Sequence, residues 1–298
     1  MSDRSTFDKG SRTGFLLFPG LGGTPAELRY VSRGLARAGY TVYCCQLAGH
    51  GTTYEALRRS TWKEWHESAR TALRRLRSDC DVVIAGGLST GALVALHLAH
   101  EQPADIQGLV LYAPSLRLDG WAMPWYMDLL HLIRPTPIPI ELTMPEREPF
   151  GLKDKRIRQL VLQSMLSGDP SEAGLWGTPL RTFANFNSLA ARVKRELRSI
   201  AAPTLILHPR EDDVASLRNA FLIQERLAGL AELVVLDDSY HIITLDRQRA
   251  LVVDRSARFA ELIERQHAVA SQGERAGKQS NGPRVAETRV AEGGSWRN

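Results

Sequence analysis

The residues in this chain that could carry out nucleophilic chemistry stand at the ends of strand-like runs. Ser89 lies in Gly87-Leu-Ser-Thr-Gly91, directly after the β-branched run Val82 to Ala85 and directly before the Ala/Leu-rich stretch that follows Gly91. That order reads as strand, sharp turn and helix, with glycines flanking the serine where side chains would clash. A serine hydroxyl is a weak nucleophile at neutral pH and needs a base to take its proton. Imidazole can take and return that proton, and a carboxylate fixes the imidazole tautomer and stabilises its charged form. Two later strand-like runs deliver these groups. Ala202-Pro-Thr-Leu-Ile-Leu-His208 leads into Glu211-Asp212-Asp213, and Ala231-Glu-Leu-Val-Val-Leu236 leads into Asp237-Asp238 and then His241. His267 is the other histidine after the acidic loop and lies at the start of the polar tail, so His241 is the expected base.

Positioning these groups requires a sheet whose strands end at one edge. Gly14-Phe-Leu-Leu-Phe18, Tyr40 to Gln46, Val82 to Ala85 and Gly108 to Ala113 read as strands, with helical runs between them. The segment Thr61 to Arg77, for example, places Trp62, Trp65, Ala69, Ala72, Leu73 and Leu76 at helical spacing. A βαβ alternation of this kind predicts an α/β fold with a mostly parallel sheet and helices on both faces. Pro19-Gly-Leu-Gly-Gly-Thr24-Pro25 after the first of these strands supplies a Gly-rich turn, an N-cap and a first-turn proline.

The sequence resembles the α/β-hydrolase superfamily, and within it bacterial carboxylesterases and monoacylglycerol lipases. The resemblance runs from Gly14 to about Arg265. It is carried by Pro19-Gly-Leu-Gly-Gly-Thr-Pro25, Gly49-His-Gly51, Gly87-Leu-Ser-Thr-Gly91 and His241-Ile-Ile-Thr-Leu-Asp246, and by the chain order serine, acid, histidine. It implies a catalytic triad of Ser89, Asp212 and His241. Asp212 takes the acid position in His208-Pro-Arg-Glu-Asp-Asp-Val214, with Asp213 and Glu211 as rivals one residue to either side. It also implies an oxyanion hole formed by the backbone N–H groups of Leu21 and Thr90, and a structural role for His50. Departures from the pattern are Phe18-Pro19 where a His is usual, Thr90 after the nucleophile, and Tyr240 before the histidine.

The implied organisation is a flexible N-terminus over residues 1–13, an α/β-hydrolase domain over 14–265 with a cap insertion at about 115–188, and a disordered tail over 266–298. The last helix is expected over Asp246 to Glu264. In the cap, Trp121, Trp125 and Met127 are the candidate substrate-binding residues, in a run continuing through Leu129, Leu130, Ile133 and Ile140. The expected activity is cleavage of carboxylic esters, of short-to-medium acyl chains or monoacylglycerol-like, through an acyl-enzyme. An acyltransferase or thioesterase with the same triad, or a non-catalytic ligand-binding member of the fold, is the alternative.

Composition narrows the classes further. The 298 residues, 43% of them hydrophobic, can bury a large core. The net charge of +5 comes from 38 basic residues dispersed among 33 acidic ones, with no aromatic interleaving, so nucleic acid is not an expected partner. No run is long enough to span a bilayer and the start has no apolar leader, which predicts a cytoplasmic protein without membrane insertion. Cys44, Cys45 and Cys80 lack metal-ligand spacing and are expected to be buried free thiols. His97 and His100 lie three apart with no partner cluster visible in the sequence, so no metal is expected, and the absence of a nucleotide fingerprint predicts no cofactor.

Overall fold

A computed structural model describes residues 3–127, 142–166 and 177–280. Its strands are β1 (Thr6–Asp8), β2 (Thr13–Phe18), β3 (Thr41–Cys44), β4 (Val82–Leu88), β5 (Gly108–Tyr112), β6 (Thr143–Pro145), β7 (Gly177–Pro179), β8 (Thr204–Pro209) and β9 (Ala231–Leu236). Its helices are α1 (Arg29–Arg37), α2 (Tyr54–Arg59), α3 (Trp62–Arg77), α4 (Thr90–Glu101), α5 (Lys155–Leu166), α6 (Leu180–Glu196), α7 (Arg218–Arg226) and α8 (Arg249–Ser280).

The main sheet has the order β1-β3-β2-β4-β5-β8-β9 and is parallel except for β1, which runs antiparallel to β3. Every residue of β2, β4, β5 and β8 is buried, as expected of central parallel strands covered on both faces. Alternation along β2 divides the core. Phe15 and Leu17 pack with Val31 and Leu35 of α1 and Phe259 and Ile263 of α8, whereas Leu16 and Phe18 face Trp65 and Leu73 of α3 and Leu93 of α4. Since β3 and β5 lie on opposite sides of the β2–β4 pair, the order reverses there, and the crevice beyond the strands' carboxyl ends is where such sheets bind ligands.

Local sequence explains the element boundaries that matter. Thr24 accepts a hydrogen bond from the Ala26 N–H at 3.2 Å and caps a short 3-10 turn at Pro25–Leu28 that leads into α1. Thr61 and Glu64 form a reciprocal capping box at the start of α3. The three cysteines are free and buried, in line with the sequence expectation.

Two expected boundaries change. The N-terminal 13 residues are not all flexible, because Thr6–Asp8 pairs with the otherwise open edge of β3 and Phe7 packs edge-on against Tyr43. The last helix does not stop at Glu264 but runs to Ser280. Its extension contains Ala, Gln, Glu, Arg and Lys and no proline, so it can remain helical without an apolar face to dock. Residues 281–298 lie outside the described residues, as do Leu129, Leu130, Ile133 and the proline-spaced run to Ile140. The strands β6 and β7 form a two-stranded antiparallel sheet, and α6 returns to the main body with Phe186, Leu189 and Val193 in the core beside α4. Among the described residues no helix is long and apolar enough to cross a membrane.

Candidate active site

Ser89 occupies the turn between β4 and α4 with φ 54° and ψ −111°, a conformation that L-residues rarely adopt. Its neighbours make the turn possible. A Cβ on Gly87 would lie 2.4 Å from the Phe18 carbonyl oxygen, and one on Gly91 would lie 2.2 Å from the same atom and 2.5 Å from that of Pro19. The glycines therefore let the elbow close against the end of β2.

The loop after β8 and the loop after β9 bring an acid and a base together. His241 Nδ1 lies 3.0 and 2.9 Å from the two carboxylate oxygens of Asp212, and both side chains are buried. Asp212 is itself held, since its Oδ1 accepts the N–H groups of Val214 and Ala215 at 2.8 Å each. Burial alone would push the Asp212 carboxyl up. The charge and hydrogen bond of His241, with His208 and the backbone donors, outweigh it and hold the carboxyl below its ordinary value. Burial likewise works against a charged His241, but Asp212, Asp213 and Glu27 outweigh it and raise the imidazole.

The rival acids have other tasks. Asp213 accepts the backbone N–H of His241 at 3.1 Å and that of Gly151 at 2.9 Å, tying the histidine loop to the segment before α5. Glu211 pairs with Lys153 at 2.9 Å on the surface. Asp246 is buried and accepts the N–H groups of Lys153, Asp154 and Tyr240, which braces the same loop from its far side. His50 is buried, donates to the Ala48 carbonyl through Nδ1, and packs edge-on against Trp65, as a structural histidine would.

His241 Nε2 is buried and has no hydrogen-bond partner among the described residues. The Ser89 hydroxyl instead meets Ser115 Oγ at 3.0 Å, and Ser115 donates to the Ala113 carbonyl at 3.1 Å. Since the Ser115 proton is used there, Ser89 is the donor in the pair. A proton transfer to His241 thus requires Ser89 to turn away from Ser115. Such looseness is common before substrate tightens a site.

Ser89, Thr90, His241 and Leu21 all border one cavity of about 230 Å³. Its apolar wall includes Leu118, Met123, Met127, Met144, Phe150 and Phe183. Glu27 faces it from the turn after β2 and accepts the Gly20 N–H at 3.0 Å. Burial pushes the Glu27 carboxyl from 4.5 up to about 7, against the opposing pull of the Gly20 N–H and His241.

Residues 11–248 match the model of the Hydrolase_4 family, described as serine aminopeptidase, S33. The chain belongs to this family. Curated relatives of this Hydrolase_4 chain include a thermostable monoacylglycerol lipase of Bacillus sp. (strain H-257), 29% identical over 255 residues, which cover 83% of this chain and 89% of the relative. A carboxylesterase of Bacillus subtilis (strain 168) is 25% identical over 265 residues, or 86% of this chain and 95% of the relative. Among solved structures, one from work on LipS and LipT, two metagenome-derived lipolytic enzymes, superposes with a TM-score of 0.74 at 29% identity, covering 86% of this chain and 96% of the other. The α/β-hydrolase fold expected from the sequence is the observed one.

Within this Hydrolase_4 member the expected substrate-binding residues divide. Met127 is buried and lines the cavity, but Trp121 and Trp125 are 58% and 80% exposed and do not line it. Residues 121–126 form turns rather than a helix, so Met123 and Met127 face inward while the two indoles point away. Trp121 donates to the Glu211 carbonyl and packs on Tyr240, and Trp125 packs on Tyr126. Two site residues, Ser115 and Glu27, escaped the sequence reading. Ser115 follows β5, the strand beside the elbow strand, which was the available signal. Glu27 sits three residues after an N-cap Thr, where a carboxylate reads as part of a capping box, and nothing local distinguishes it.

Proposed function

We propose that the protein is a serine hydrolase that cleaves carboxylic esters of short-to-medium acyl chain, or monoacylglycerol-like esters, by way of an acyl-enzyme on Ser89. The observation that carries the reading is the convergence on one apolar cavity of a strained serine and a buried histidine whose Nε2 has no partner among the described residues, with a buried carboxylate behind it on Nδ1. Ser89 rotates from Ser115 to His241 and attacks the ester carbonyl as His241 Nε2 takes its proton. Asp212 orients the ring and stabilises the imidazolium. The N–H groups of Leu21 and Thr90 hold the tetrahedral oxyanion, each worth about 3 kcal/mol in such a site. His241 then protonates the leaving alcohol, and a water activated by the same nitrogen releases the acid. The names of the curated relatives, a monoacylglycerol lipase and a carboxylesterase, support the substrate class.

A fluorophosphonate probe tests the nucleophile directly. Covalent labelling should map to Ser89 and disappear in Ser89→Ala and His241→Ala, together with hydrolysis of p-nitrophenyl esters. Labelling that persists in Ser89→Ala removes the assignment.

A further inference from the structure

Away from the cavity, α3, α4 and α6 meet around a cluster of histidines and carboxylates that the ester chemistry does not use. His66 comes from α3, and His97 and Glu101 lie one turn apart on α4. His66 Nε2 is 2.7 Å from Glu101 Oε2, and His97 Nε2 is 3.7 Å from Glu101 Oε1. One donor atom from each of the three falls within 4.8 Å of the others. Both histidines are buried, and their ring centroids are only 4.4 Å apart.

The shell behind the cluster is also built. Glu196 at the end of α6 is buried, and its Oε2 lies 2.8 Å from His97 Nδ1. A carboxylate there fixes the proton on Nδ1 and leaves the Nε2 lone pair facing Glu101 and His66, the arrangement that orients imidazole ligands in metal sites. Arg192 pairs with Glu196 from the same helix. His100 does not join the three. Its Nδ1 bonds Ser199 Oγ at 2.6 Å and its Nε2 stands 3.7 Å from Glu196.

We propose that His66, His97 and Glu101 form a binding site for a borderline divalent cation, zinc in the first instance, that ties α3 to α4. Two imidazole nitrogens with one carboxylate are a zinc donor set, and the nitrogen donors disfavour magnesium and calcium. Bonds of 2.0–2.2 Å imply donor separations of about 3.4 Å, so the 2.7 Å His66–Glu101 pair must open by about 0.7 Å and donors as far as 4.8 Å apart must close by about 1.4 Å, movements within reach of side-chain rotation. The Glu101 side chain is 38% exposed, which gives the ion an entrance and leaves water for the fourth position. From Ser89 to Glu101 the helix rises about 18 Å, so the ion would brace the fold and take no part in ester cleavage. The sequence expectation of no metal rested on a missing partner for His97 and His100. The fold supplies one for His97 from a separate helix.

The site is tested on the full chain, free of any polyhistidine tag and stripped with a chelator. Titration calorimetry with zinc chloride should find one bound equivalent, and zinc should raise the melting temperature by several degrees. Glu101→Gln and His66→Gln should weaken binding at least 100-fold, and Glu196→Gln by about 10–100-fold. Glu101→Gln, partly exposed and remote from Ser89, keeps the test valid if the buried His66 variant fails to fold, and it should leave ester hydrolysis within about twofold of wild type. No zinc-dependent heat or thermal shift in the wild type overturns the proposal. So does a shift of equal size in Glu101→Gln, or one that survives there and is lost in His241→Ala, which would place the ion in the cavity.

Discussion

Replacing Glu27 with glutamine separates charge from shape at the mouth of the site. The glutamine amide oxygen can still accept the Gly20 N–H, while the side chain stays neutral at every pH. In the folded protein, burial raises the Glu27 carboxyl from 4.5 to about 7. A group raised in the folded state contributes stability that is fully present below its unfolded value and is lost as pH rises through the folded one. The window is therefore pH 4.5 to 7. The full difference corresponds to roughly 3 kcal/mol, and because the carboxyl borders an open cavity we take about 2 kcal/mol after solvent screening. Glu27→Gln should match the wild type near pH 4.5 and exceed it by about 2 kcal/mol at pH 8, or about 3 °C in melting temperature. Paired thermal melts at pH 5 and pH 8 measure this. An equal offset at both pH values, or a less stable variant at pH 8, refutes the reasoning. The same charge helps raise His241, so the basic form should be reached earlier in the variant. The pH at which kcat/KM is half-maximal should lie above the ordinary imidazole value in the wild type and move down in Glu27→Gln.

Asp212→Asn should lower kcat by about 10⁴-fold through loss of the correct tautomer, whereas Asp213→Asn should cost far less activity and show chiefly as a lower melting temperature, because it anchors backbone N–H groups. Steady-state kinetics and melts on both variants rank them, and the reverse ranking would move the acid to Asp213. Gly91→Ala should cost more than about 3 kcal/mol or abolish folding, since its Cβ would meet backbone oxygens that cannot withdraw. A chemical denaturation curve close to that of wild type would contradict the turn geometry. Across p-nitrophenyl esters from acetate to octanoate, Met127→Ala should flatten the rise of kcat/KM with chain length, and Trp125→Ala should leave it unchanged.

What could be read in the sequence was whatever depends on backbone constraint. Ser89 announces itself because only glycine fits at positions 87 and 91, and because a strand before and a helix after are visible as residue pattern. His241 follows from its place after a strand end, whereas Asp212 was singled out from its neighbours Glu211 and Asp213 only by the family resemblance. Facing is another matter. Trp121, Trp125 and Met127 looked alike as apolar residues of one short run, yet the turns at 121–126 send the indoles outward and the methionine inward. A turn segment lacks the fixed period that lets a helix or strand reveal its inner face. Contacts between separate elements are hidden for a related reason. Glu27 becomes a cavity residue only when its loop folds beside the elbow, and His66 meets His97 only when α3 packs on α4. Each is a polar residue on an otherwise ordinary helix or turn, and pattern alone assigns it to solvent or to a cap.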